Sequence, residues 1–224
     1  MDTRPMIAGS LFLDAFRFIP HHASLLLHET GGTAKLAFAA LGIAVALALP
    51  LGLWLGHRHR GLLLALGVSN LGRALPSIVL IGFAIALLRL TFFWECAVAL
   101  VILAIPPILT NAYFAIEGVD PDAVEAARGM GLTEAQILRR VELPLGLPLI
   151  LAGLRIAAVF VIATATIAGI VGGGGLGDVI ANEQTYGSAG VLGASYCVAA
   201  MALLVAAALG LLQHVTYRRM APRA

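Results

Sequence analysis

The chain has 224 residues, 60% hydrophobic and only 12% charged, with a mean hydropathy of +0.97. Soluble domains carry about a quarter charged residues, so the composition excludes an ordinary soluble protein and points to an integral membrane protein of one domain. A net charge of +2 with no clustered basic patch gives no ground for a nucleic-acid binder.

Residues 1–30 read as an external, interfacial segment. Arg4, Asp14, Arg17 and His21-His22 interrupt an apolar run that contains Phe12, Phe16, Phe18 and Ile19. The stretch Met6–Leu13 is short, ends at Asp14 and lacks a small-residue cleavage site, so no cleavable signal peptide is expected. His21, His22 and His28 read as solvated side chains.

The region 31–214 reads as the membrane domain, built of α-helices. The expected spans are 32–56, 71–88, 93–116, 144–170 and 188–212, each apolar and able to cross about 30 Å of hydrocarbon. His57-Arg58-His59-Arg60 stops the first. The second is ambiguous at its start: residues 61–76 are either surface-lying or part of a span kinked at Pro76. Residues 215–224 form a short tail.

One long polar passage breaks the apolar pattern, the loop 118–143. Asp120 is a strong N-cap with Pro121 at the first helical position. Asp122 and Glu125 sit where the helix dipole favours anions. Gly129 and Gly131 permit a sharp C-terminal turn. Thr133 and Gln136 form a capping box, with Leu132 and Ile137 as its hydrophobic staple. Leu143 precedes Pro144 and is expected to end the unit. The pattern predicts two short helices whose small residues admit a close neighbour, a docking surface for a soluble partner.

Charge gives the orientation. With this loop in the cytoplasm, ten of the fourteen Lys and Arg residues fall on or near the inner side: Arg58, Arg60, Arg73, Arg128, Arg139, Arg140, Arg155, Arg218, Arg219 and Arg223. Arg4, Arg17, Lys35 and Arg89 fall outside. The N-terminus is then outside and the C-terminus inside.

The order Glu125-Ala126-Ala127, three residues, Gly131, nine residues, Val141, one residue, Leu143-Pro144 resembles the EAA loop of permease subunits in bacterial ABC importers, with Val141 where the usual pattern has Ile. The passage ATATIAGIVGGGGLGDVI, residues 163–180, resembles the osmoprotectant subfamily, which imports glycine betaine, choline or carnitine. The resemblance covers about residues 32–212. It implies a five-helix type I importer permease of the bacterial inner membrane, working with ABC ATPase subunits, a second permease chain and an external solute-binding protein. It assigns ATPase coupling to Glu125, Ala126, Ala127, Gly131, Val141, Leu143 and Pro144. A methionine-type or other small-solute permease is the alternative substrate class.

Candidates to line or gate the path are Asn111, Arg155, Thr164, Thr166, Gly174 and Gly175. Arg155 must snorkel, pair or face a wet cavity at its depth, and the threonine hydroxyls can instead bond back to their own helix. Gly172, Gly174 and Gly177 match G-x-G-x-x-G formally, but a membrane span precedes them, not the strand of a dinucleotide fold. No Gly-Lys-Ser/Thr follows, so ATP and Mg are expected on the partner ATPase and no cofactor on this chain. Cys96 and Cys197 are too separated for a metal site. Ser195 and His214 lie on one expected helix roughly 28 Å apart and cannot form a dyad. A membrane-embedded enzyme or passive anchor lacks convergent titratable groups beyond Arg155, Lys35 and Glu95.

Overall fold

The computed structural model describes residues 8–220. The extreme ends of the expected external segment and tail, with Arg4 and Arg223 of the charge count, lie outside the described residues. All regular structure among the described residues is helical. The helices are α1 (Ala8–His21), α2 (Ala23–His57), α3 (Leu62–Ala74), α4 (Ser77–Leu88), α5 (Phe92–Glu117), α6 (Pro121–Gly129), α7 (Glu134–Ile137), α8 (Leu143–Ala168), α9 (Leu176–Ala181) and α10 (Glu183–Met220). Wider π-turns at Leu138–Glu142 and Gly169–Gly173 flank α8.

Helices α2, α5, the run Glu134–Gly173, bent at Gly172 (φ +107°), and α10 have the length and apolarity of membrane spans. α5 is the central one: 61% of its apolar window is buried, against none of that of α10. α2 and α8 both pack on α5 and touch each other, and α3 and α4 pack on α5 as well. The contacts rely on missing side chains. A Cβ on Gly153 of α8 would lie 2.4 Å from that of Asn111 and 2.9 Å from the Pro107 carbonyl of α5. Helices separated by so little gain dispersion contacts along their whole crossing, which drives association where no hydrophobic gradient exists.

Three expectations about element boundaries change. The first span is longer than residues 32–56, because α2 begins at Ala23 and runs unbroken through Pro50. The second span, expected over 71–88, is two helices separated at Leu75-Pro76. Pro76 is extended (φ −62°, ψ 129°) and has no N–H to continue the ladder. The polar loop does not end at Leu143. That residue is helical (φ −61°, ψ −47°), and its N–H bonds to the Leu138 carbonyl, five residues back. The widened turn accommodates Pro144 without breaking the rod, so α7 and α8 are one mechanical piece.

α1 carries its apolar side against the N-terminal half of α10. Phe16 stacks on Tyr196 at 5.1 Å between ring centroids, and Phe18 lies over Gly190 and Gly193. Leu26, Leu176, Val179 and Ala194 make a small second core beneath them.

Candidate functional site

The polar loop folds as its residues dictate. The Asp122 N–H donates to Asp120 Oδ1 at 3.0 Å, capping α6 with Pro121 at its start. α6 ends in a Schellman turn: Leu132 N–H donates to the Ala127 carbonyl at 3.3 Å and Gly131 N–H to that of Arg128 at 3.0 Å. Gly131 has φ +81°, a left-handed backbone that glycine adopts without penalty. The Thr133 N–H donates to Gln136 Oε1 at 2.9 Å, closing the capping box that opens α7. Ile137 is fully buried and anchors α7 to the bundle.

Charge then ties the pieces together. Arg128 Nε and Nη2 donate to the two carboxylate oxygens of Glu134 at 3.1 and 3.3 Å, joining α6 to α7. The Arg128 hydrogen bonds hold the Glu134 carboxyl below the usual carboxylate range. His57, the last residue of α2, places Nδ1 at 2.6 Å from Glu142 Oε2 and Nε2 at 3.4 Å from Glu134 Oε2. The Glu142 side chain is only 3% exposed, and that of His57 12%. A cleft of about 560 Å³ lies beside this network, lined by His59, Val124, Glu125, Arg128 and Glu142 among others.

Among the expected coupling residues, Glu125 and Ala126 are exposed on α6, whereas Ala127 is buried. Gly131 is exposed in the turn; Val141 and Leu143 are half-buried on the rod and Pro144 is exposed. All seven therefore lie on α6, the turns that follow it and the start of α8, with Glu125 and Gly131 presented to solvent.

The path candidates do not converge. Asn111 donates to the Pro107 carbonyl of its own helix at 2.8 Å, and Thr164 and Thr166 donate to Phe160 and Ile162 at 2.8 and 3.2 Å. Asn111 lies at the α5–α8 contact beside Gly153, and Thr164 and Thr166 are buried. Arg155 is exposed on α8 beside Ile156, Val159 and Phe160, with its guanidinium lying along Gly210 of α10. Gly174 and Gly175 shape the opposite end, at φ +68° and +80° with extended ψ, a region open essentially only to glycine. There the buried Leu176 N–H donates to Thr33 Oγ1 of α2 at 2.9 Å.

Residues 48–223 match the family described as "Binding-protein-dependent transport system inner membrane component". The chain belongs to this family of permeases. It is 32% identical to the glycine betaine/carnitine/choline transport system permease protein OpuCB of Bacillus subtilis, over 92% of this chain and 93% of that one. It is 39% identical to the carnitine transport permease protein OpuCB of Listeria monocytogenes, over 71% of each. A solved chain of the MetNI methionine ABC transporter, inward facing, superposes with a TM-score of 0.73 at 23% identity, covering 87% of this chain and 97% of that one. That likeness establishes the type I importer permease fold. As a permease, the chain is a multi-pass transport subunit and not an enzyme, and the family works with an ATPase and a solute-binding protein.

His57, Glu134 and Glu142 were not singled out as functional residues in the sequence. His57 reads there as part of a charged stop. The available signal was Glu142, the only acid between Ala135 and Gly177, standing next to an apolar span. A carboxylate about to enter a membrane requires a partner.

Proposed function

We propose that this permease carries the solute path of an ATP-driven importer, and that loop 118–143 is where a cytoplasmic ATPase grips it. The observation that carries the reading is the presentation of Glu125 and Gly131 to solvent on α6 and its turn, which the Arg128–Glu134 pair ties to the helical run that leads into α8. ATP-driven closure of two ATPase subunits pulls on α6, and the helical run from Glu134 through α8 moves with it; hydrolysis resets it. Two permease chains, identical or paralogous, enclose the path. Support comes from α10, whose apolar window is unburied in the single chain. The loop and the C-terminus lie inside and the N-terminus outside, as the excess of Lys and Arg near the loop favours.

Arg155, Gly174 and Gly175 are the path or gate positions this reading retains at an exposed face or at the outer turn. Asn111, Thr164 and Thr166 act beside them by setting how closely α5, α8 and the glycine-rich turn pack. The solute is glycine betaine, choline, carnitine or a related osmoprotectant, on the strength of similarity to OpuCB permeases over 71% and 92% of the chain. The methionine-type alternative has only fold likeness behind it.

The test is reconstitution with the partner ATPase and binding protein. Glu125→Lys is expected to insert and assemble normally, to hydrolyse ATP and to lose uptake. Unchanged uptake by that variant contradicts the coupling role. Competition of uptake by glycine betaine, choline and carnitine, with methionine as control, tests the solute; failure of every quaternary ammonium compound contradicts the substrate class.

A further inference from the structure

Two hydrogen bonds that hold different functional segments share one helix. At one end of α2, His57 Nδ1 meets the buried Glu142 at 2.6 Å, and its Nε2 faces Glu134, itself forked to Arg128. At the other end, Thr33 Oγ1 receives the buried Leu176 N–H of the glycine-rich turn at 2.9 Å. Between them α2 is uninterrupted, spanning about 36 Å at ~1.5 Å per residue.

Each end of α2 is seated at a glycine contact. Just before His57, Gly56 lies flush on α5: a Cβ there would be 2.7 Å from the Tyr113 carbonyl. The terminus of α2 is thus seated where α5 turns into loop 118–143, and His57 reaches across to the start of α8. At the far end, Gly175 lies against Thr33, where a Cβ would be 2.5 Å from Oγ1. No side chain can intervene there without displacing the turn.

We propose that α2 is a transmission rod, and that His57 and Thr33 are positioning residues that make the glycine-rich turn follow the coupling loop. The proposal rests on the coupling role of that loop, and gives it an output at the opposite membrane face. An axial shift of the loop displaces Glu142, which carries His57 and α2. Thr33 then draws on the Leu176 amide, and the turn at 172–175 has the backbone freedom to respond. A buried, short carboxylate–imidazole contact is suited to this, because breaking it leaves an uncompensated buried charge. An exposed pair would slip.

The test uses the assembled transporter in proteoliposomes, with Cys96 and Cys197 replaced by Ala and one cysteine introduced at the exposed Val171. Its labelling rate by an impermeant maleimide is measured with and without a trapped ATP state. Wild type is expected to show two distinct rates. His57→Leu should make the two rates equal while the ATPase still co-purifies, and should lower solute moved per ATP by about tenfold, within the range of inter-site coupling energies. His57→Gln, whose amide can donate to Glu142, should restore both. Thr33→Val should equalise the rates too, and His57→Leu/Thr33→Val should be no worse than the worse single variant, since both cut one rod.

A merely destabilised protein would instead label faster in both states. Two distinct rates in His57→Leu, no ATP response in wild type, or multiplying losses in the double variant each overturn the proposal. Glu125→Lys, assayed alongside, separates the cases: if it uncouples while His57→Leu does not, the loop is the coupling site and α2 is not its rod.

Discussion

The two connections that flank α8 solve the same problem in opposite ways. Loop 118–143 is raised from the bundle and held by charge, Arg128 to Glu134 and His57 to Glu142. The turn at 169–182 contains no Lys or Arg; its residues 170–174 are exposed, Gly175 and Leu176 are buried against α2, and it is held by backbone shape, with three glycines at positive φ and one buried amide bond to Thr33. A charged, protruding unit can be gripped by a soluble partner and released. A segment with three glycines in left-handed backbone can change direction at little steric cost. On the reading proposed above, the first receives force and the second yields to it.

Variants can break the contrast. The largest effect is expected at the turn: a Cβ at Gly177 would lie 1.9 Å from the Thr166 carbonyl, an impossible approach. Gly177→Val should cost on the order of 3 kcal/mol or more of stability, seen as a large fall in Tm in detergent or loss of membrane-inserted protein. Thr33→Val removes the acceptor of the buried Leu176 N–H and should cost about 1–3 kcal/mol, again read as a lower Tm. At the loop, Gly131→Val meets no neighbouring atom, so only its left-handed backbone is penalised, by roughly 1–2 kcal/mol. It should leave insertion intact and weaken ATPase association.

The smallest effect concerns Glu134. Its folded-state pKa is depressed by the Arg128 hydrogen bonds, so the stabilisation is present above the ordinary carboxylate range and disappears as pH falls through the lowered value. Glu134→Gln should therefore differ slightly from the parent in Tm at neutral pH, and the difference should vanish in acid. A difference that persists in acid would mean that the fork to Arg128 is not its source.

How much of this could be read from the sequence follows the same division. The loop was legible because its determinants are local: Asp120, Pro121, Gly131 and the Thr133–Gln136 box each act within a few residues, and all occur as expected. The capping pattern could not reveal that Leu143 stays helical, because the compensating π-turn arises from the joining of two helices. The break at Leu75-Pro76 was visible as an ambiguity, since proline forbids one ladder bond without dictating the chain's direction. Thr33 with Leu176 and His57 with Glu142 were invisible, because each joins residues far apart along the chain and no single segment carries the signal. The threonines of ATAT looked polar enough to line a path, yet Thr164 and Thr166 satisfy themselves on their own helix.

The central claim is that the raised loop lies on the ATPase side and is handled there. A single cysteine at the exposed Arg139, in a chain lacking Cys96 and Cys197, tests it most directly. An impermeant maleimide should fail to label it in intact cells, should label it in inverted vesicles stripped of ATPase, and should be blocked when the ATPase is restored. Labelling from outside intact cells would contradict the account.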